Sequence, residues 1–478
     1  MINIKILVAS ILSGLLCPEV APACERTLQS YGAVGDGVTD DTFALNAAFS
    51  DVCDLDGEWL TYVTTSELRI ENDIHVKNFE LRLSELACTT ECYPSLSAVG
   101  TDILTKYGGT VSLKNVTVNR GANLANGRSP DSTAAILISG VTSGLLEDVS
   151  VTGDGIGSGI RVVDSDNVEL NGGLIHDMKF SSETPLDASG EHERLQGILV
   201  QRSTNVRILG TKIERLHSTD DGGVTYLPFQ TDGITVSGTD GLFILSVAVE
   251  SVGEGIDLTG NLTIPGGSGL VGNRNFEIAH SSVFDAHSWG FKFANTARHG
   301  LVRDSTAVRS GYAGFVFSGP SNSNTIGAEA TQNIIADNCL AKDTGYNSSW
   351  PAAYGFLVLK NDNFFSSYPK KIVIRNSVAK DDQAIPTMNY GFFSQNPINV
   401  VNNVDSYHHI IDGASGFDSA AYTTSTIEAH HQNILGCAVK DTSLEWWFEK
   451  GAFGGWDEAR LVADLNDLLN RHDFGSCQ

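Results

Sequence analysis

Along most of the chain, apolar and polar residues alternate over short runs, and Gly, Asn or Asp interrupts each run. A two-residue period marks a strand with one buried face. Val168-Glu169-Leu170 and Val206-Arg207-Ile208 are short examples, and Ser66 to Leu83 holds longer ones. One phrase recurs: a residue, then Gly, then apolar, any, apolar. Its central copies are Asp232-Gly233-Ile234-Thr235-Val236, Glu254-Gly255-Ile256-Asp257-Leu258 and Trp289-Gly290-Phe291-Lys292-Phe293. The Gly falls at 159, 197, 233, 255, 290, 314, 355 and 391, with spacings of 38, 36, 22, 35, 24, 41 and 36 residues. A fixed phrase on such a spacing predicts a stacked coil, in which each rung buries its face on its neighbours. The shortest spacings are one bare turn, and the excess on other turns predicts loops bulging from one side. Those loops carry Tyr226, Phe229 and Trp350, rings on which a sugar can stack.

A helical period appears only near the ends. Ala44, Leu45, Ala48 and Phe49 predict a short helix from Thr42, capped by Asp40 or Asp41. From Trp456, the residues Ala459, Leu461, Val462, Leu465 and Leu468-Leu469 predict a second helix. It would cover the last rung, whose open edge otherwise templates association. The expected organisation is a signal peptide over 1–23, an N-terminal cap over 24–65, a parallel β-helix over 66–435 and a C-terminal cap over 436–478. The fold class expected is all-β, a right-handed single-stranded parallel β-helix.

Composition adds compartment and partners. The signal peptide rests on Lys5, the apolar run Ile6 to Leu16, and the small-residue site Ala21-Pro22-Ala23. That apolar run is too short to span a membrane, and no later one is longer. The expected location is therefore secreted or periplasmic. With 57 acidic and 31 basic residues the net charge is −26, which argues against nucleic acid or an anionic membrane as partner. In an oxidising compartment, proximity suggests the disulfides Cys24–Cys53, Cys88–Cys92 and Cys437–Cys477, with Cys339 a buried free thiol. No paired C-x-x-C motif occurs, so no metal site is expected from the cysteines.

Candidate chemistry follows from strand parity. The residues one and three after each Gly are apolar and point inward. The position between them points outward, so Thr235, Asp257 and Lys292 form an outward ladder about 4.8 Å apart. Arg161 holds the same place on an earlier rung. The residue before Gly is open on parity alone. Strict alternation turns it inward, whereas a strand that begins at Gly leaves it in the turn. Gln196, Asp232, Glu254, Trp289 and Tyr354 occupy this position, and a bare charge in the interior costs too much, which argues for the turn. Asp232 and Glu254 are then about one rung apart, and one of two such carboxylates has a raised pKa. A protonated acid beside an ionised one is what glycoside hydrolysis needs. His287 can hold a proton near neutral pH, and Lys292 either binds an acidic sugar or steadies Asp257 in an ion pair. Asp220-Asp221, after His217, is an alternative acid pair on a loop.

Tyr31-Gly32-Ala33-Val34-Gly35-Asp36-Gly37-Val38-Thr39-Asp40-Asp41-Thr42 resembles the opening of pectate-lyase-superfamily proteins. These are right-handed parallel β-helices and include polygalacturonases, related glucanases and phage tailspikes. The resemblance implies a cap at this end of a solenoid and leaves the reaction open. A partial resemblance to polygalacturonases sits further on. Gln230-Thr231-Asp232-Gly233 looks like their N-T-D-G phrase, Gly253-Glu254-Gly255 stands where they carry two Asp, and Trp289 stands where they carry His. Their Arg-x-Lys phrase has no counterpart here.

The expectation is a secreted carbohydrate-active enzyme that cleaves a poly- or oligosaccharide. Asp232, Glu254, Asp257 and His287 are its catalytic candidates. Lys292, Arg161, Gln196, Gln230, Trp289 and Tyr354 are its substrate-binding candidates. No cofactor is expected. Calcium enters only with a rival reading, a uronate lyase or C5-epimerase, where Asp220, Asp221, Asp232 and Asp257 would hold it. A second rival is a non-catalytic, tailspike- or adhesin-like glycan binder, assembled as a homotrimer. A third is a fructan transglycosylase.

Overall fold

The computed structural model describes residues 24–403 apart from 71, 85–102, 106–107, 121–133, 154–156, 182–194, 220–224, 227–230, 260–261, 264–269, 320–330, 347–351, 360–368 and 395–399; beyond 403 it describes 432, 434–435, 461–463 and 465–466. The recurring phrase becomes one wall of a parallel β-helix. Among the described residues, eleven strands stack in a single parallel sheet, from Leu68–Ile70 to Tyr390–Ser394. Ser158 stands opposite Gln196, Gln196 opposite Asp232, and Asp232 opposite Glu254. The ladder continues from Ile256 through Phe291, Phe315 and Phe356 to Phe392. Each spacing between phrases is therefore one turn of the coil.

A second sheet, of 23 strands among the described residues, forms the other walls of the coil. In each turn two strands follow one another, as Asp240–Leu245 and Ala248–Glu250 do, and each pairs with its counterpart one turn on. A single residue with positive φ makes the corner between them: Gly210, Ser246, His280, Asp304, Asn338 and Asn376. Gly, Asn and Asp tolerate that conformation best. Several of the residues that follow turn inward as a buried hydroxyl column: Thr211, Ser281, Ser305 and Ser377. Cys339 belongs to this column. Its amide donates to Ser377 Oγ at 3.1 Å. Burial pushes the thiol up to about 12, so this free cysteine is unreactive, as its apolar surroundings predict.

The interior changes character along the axis. Ile160, Ile198, Ile234 and Ile256 fill one buried column, and Phe291, Phe315, Phe356 and Phe392 continue it. Those rings stack 4.7–4.8 Å apart, which is the strand spacing. Burying one such side chain contributes about 1.5–3 kcal/mol.

At the N-terminal end the helix is Thr42–Phe49, with Ala44, Leu45, Ala48 and Phe49 buried. The two aspartates before it divide their work. Asp40 Oδ1 accepts from the Thr42 amide at 3.0 Å, while Asp41 turns back to accept from the amides of Val34 and Gly35 at 2.6 and 3.1 Å. Gly35 and Gly37 have φ of +68° and +73°, which explains the Gly in that loop. Cys24 and Cys53 form a disulfide. Parallel pairing already begins at Asp54–Thr64, which runs beside Ile74–Leu83, so the cap and the coil share one sheet. Cys88, Cys92, Cys437 and Cys477 lie outside the described residues. In the C-terminal tail 461–463 and 465–466 are helical, and Leu461 and Leu465 are fully buried. Among the described residues no helix is long and apolar enough to cross a membrane.

Candidate functional site

The glycine of the phrase decides which way the acids point. A Cβ on Gly233 would lie 2.3 Å from the Val249 side chain and 2.7 Å from the Gly255 carbonyl oxygen. A Cβ on Gly255 would lie 2.5 Å from Val283 and 2.3 Å from the Gly290 carbonyl oxygen. Each Gly therefore faces the core, and so does the Ile after it. Alternation breaks at that step, and the residue before Gly turns outward. The same close approach recurs at Gly159 against Ile175 and at Gly197 against Ile213. Gly233→Ala is expected to cost about 1–3 kcal/mol through overpacking. The check is a lower urea midpoint with an unchanged slope. An unchanged midpoint would show that Gly233 does not set this geometry.

Asp232, Thr235, Glu254, Asp257 and Lys292 thus share the outer face of three successive strands, Thr231–Ser237, Glu254–Thr259 and Trp289–Ala294. Thr235 stands opposite Asp257, and Asp257 opposite Lys292. One oxygen from each of the three carboxylates lies within 4.8 Å of the others. Lys292 Nζ donates to Glu254 Oε2 at 2.8 Å and to Asp257 Oδ2 at 3.1 Å. Thr235 Oγ1 donates to Asp232 Oδ2 at 2.6 Å. The ion pair expected between Asp257 and Lys292 is present, and Glu254 shares the ammonium. The acids are 2–4% exposed, and the Lys292 side chain is 21% exposed. Asp257 Oδ1 is buried and accepts no hydrogen bond.

Burial holds the Glu254 carboxyl well above the usual range. The Lys292 ammonium opposes that shift, and the charges of Asp232 and Asp257 add to it. Burial alone would lower the Lys292 pKa, but Asp257, Glu254 and Asp232 together raise it, so this lysine stays charged. The three oxygens match the ligand type of calcium. Two of the three acids, however, already accept hydrogen bonds from the Lys292 ammonium, which a divalent ion bound there would have to displace.

The remaining candidates are spread along the same face. Gln196 is buried one rung before Asp232, and its Oε1 accepts from Ser158 Oγ at 3.2 Å. Arg161 is three strands from Asp257 and donates to Gln201 Oε1 at 2.7 Å. His287 is half-buried before the Trp289 strand, its amide donates to the Val252 carbonyl at 2.8 Å, and burial lowers its ring pKa. It is not one of the groups gathered with the three acids. Gln230, Asp220 and Asp221 lie outside the described residues. Trp289 meets Tyr312 edge-on at 4.4 Å. Tyr312 meets Tyr354 at 5.4 Å, and Tyr354 stacks on Tyr390 at 5.4 Å. Tyr390 holds the same phrase position as Tyr354 and was legible by that rule. Phe393 holds the same phrase position as Lys292 and was legible by parity, whereas Tyr312 joins the array only through the folded turn.

No family model matches the chain, and no curated protein matches it in sequence. Solved structures similar to it include the A-module of Azotobacter vinelandii mannuronan C-5 epimerase AlgE6, at 12% identity and a TM-score of 0.45, covering 78% of this chain and 90% of that one. A Yersinia enterocolitica family 28 exopolygalacturonase aligns at 11% identity and a TM-score of 0.44, covering 81% of this chain and 79% of that one. The Streptococcus pneumoniae surface protein and adhesin PfbA aligns at 12% identity and a TM-score of 0.43, covering 78% of this chain and 100% of that one. Two enzymes of different reaction and an adhesin stand side by side here, so the reaction has to be argued from the site.

Proposed function

We propose that the chain is a carbohydrate-active enzyme that cleaves glycosidic bonds with the acids of this cluster. The observation that carries the reading is a pair of buried acids on adjacent rungs: Glu254, whose carboxyl burial holds well above the usual range, stands directly opposite Asp232. Glu254 gives its proton to the glycosidic oxygen as the bond from that oxygen to the sugar carbon breaks. Asp232, steadied by Thr235, serves the opposite step, taking the proton from the attacking water or attacking the carbon itself. Asp257 and Lys292 hold the local charge in balance while positive charge develops on the sugar ring. His287 has no step in this scheme. The lyase and epimerase reading asks Lys292 to act as a neutral base, and the acids around it, Asp257 foremost, raise its pKa and keep it protonated. The Cys24–Cys53 disulfide supports a secreted or periplasmic location.

The test is a screen of polysaccharides for release of reducing ends, run with the wild type, Asp232→Asn and Glu254→Gln. The wild type is expected to cut at least one glycan, and each variant is expected to lose that activity. Turnover that survives both changes would exclude this pair. Binding without turnover in the wild type would favour the glycan-binding rival.

A further inference from the structure

Building on the glycosidase reading, and resting on it, we propose that the site takes an uncharged glycan, which lies over the rungs C-terminal to the acids and stacks on Tyr354 and Tyr390. Charge comes first. Asp232, Glu254 and Asp257 crowd one face, and the ammonium beside them is shared by two of them. A polyuronate would bring a carboxylate on every sugar against that surface. Arg161, three strands away on the same face, is already engaged with Gln201. Among the described residues of this face both cations, Lys292 and Arg161, are already engaged by the protein's own groups, and the acids outnumber the ammonium among them, which disfavours an anionic substrate.

Exposure sets the direction. On the rung N-terminal to the acids the outward residues Gln196 and Leu199 are buried, and beyond it Ser158 is buried and Arg161 partly so. On the rung C-terminal to them Lys292 and Trp289 are only partly buried, as are Tyr354, Tyr390 and Phe393 further on, with Ala313, Val316 and Leu357 buried against the rings. Solvent therefore reaches the acids from the rung of Lys292 and Trp289. Asp257 Oδ1, buried without a hydrogen-bond donor, adds an acceptor for a sugar hydroxyl in the cluster itself.

The rings supply the remaining contact. Tyr354 and Tyr390 stack on one another with their planes 13° apart, and Phe393 packs tilted against them at 5.2 Å and 5.1 Å. The C–H face of a pyranose is apolar, and its hydroxyls lie around the edge. A rigid aromatic surface buries that face at little entropic expense.

The test uses the full chain carrying Glu254→Gln, so that bound glycan is not consumed. Retention is measured on neutral glucans, mannans, galactans and fructans and on pectate and alginate, at low and high salt. Wild-type turnover is measured on the same panel. At least one neutral glycan is expected to be retained equally at both salt levels. Adding Tyr390→Ala is expected to weaken that retention about three- to tenfold. Tyr390→Phe should retain it, and Tyr390→Leu, which keeps apolar volume for folding, should weaken it as Ala does. Salt-sensitive retention of pectate or alginate overturns the proposal, as does no retention at all, or retention unaffected by Tyr390→Ala. A neutral glycan bound by the variant but uncut by the wild type leaves this substrate class standing and sinks the cleavage reading. Hydrolysis of a uronate polymer does the reverse.

Discussion

Replacing Glu254 with Gln is expected to slow glycan turnover by about 10²–10⁴-fold, the usual contribution of a positioned proton donor. Folding stability at neutral pH should not fall with it. The sign follows from the raised pKa of Glu254. A carboxyl whose folded pKa lies above its unfolded value contributes stability that is fully present below the unfolded value. That contribution is lost as pH rises through the folded value. Gln keeps the shape and has no proton to lose. Relative to the wild type, the variant should therefore gain stability on going from acid to neutral pH, which paired urea titrations will show. Turnover carries the matching signature. Wild-type activity should fall on the alkaline side as Glu254 ionises, and the residual activity of the variant should lack that limb. A variant that keeps most of its rate would remove Glu254 from the chemistry. A variant that loses more stability at neutral than at acid pH would contradict its raised pKa.

Lys292→Met is expected to destabilise the protein by about 3–5 kcal/mol at neutral pH, the range for breaking a buried ion pair from one side. Met keeps the apolar stem of the lysine and removes the charge. Glu254 and Asp257 then lose the donor they share at 2.8 and 3.1 Å, and three buried acids are left without a cation. The raised pKa of Lys292 means that its contribution is fully present below the ordinary lysine value and is lost only as pH rises through the folded value. The loss in the variant should therefore be full across the physiological range. Acid should shrink it, because protons then neutralise the stranded acids. Urea midpoints at neutral and acid pH measure this. A deficit equal at both would assign the effect to lost packing. Lys292→Arg, which keeps the charge, should recover part of it.

How much of the site was legible depended on which rule each residue obeyed. Thr235, Asp257 and Lys292 follow strand parity, and the register places them opposite one another. Asp232 and Glu254 break parity. Their direction depends on a contact between each Gly and a side chain from a different wall of the same coil, Val249 or Val283. Local alternation carries no trace of that contact. The triangle made by Lys292, Glu254 and Asp257 was half visible. The pair with Asp257 is a neighbour on the ladder, whereas the bond to Glu254 depends on where a long side chain settles among buried charges.

The sequence by itself determined the stack. A phrase repeated at turn-length intervals, with apolar residues in two fixed places, has one economical way to bury its faces, and the same phrase names the rungs that carry acids. It also determined the capping helix, the disulfide at Cys24 and the inert thiol of Cys339, because each follows from a short local pattern or from proximity. Only the tertiary structure decided that the acids face out together, that burial raises the pKa of Glu254, and that aromatic rings continue the face beyond Lys292. Those properties arise between turns, where residues from different coils meet across the strand spacing, and desolvation depends on everything that surrounds a charge rather than on its neighbours in the chain.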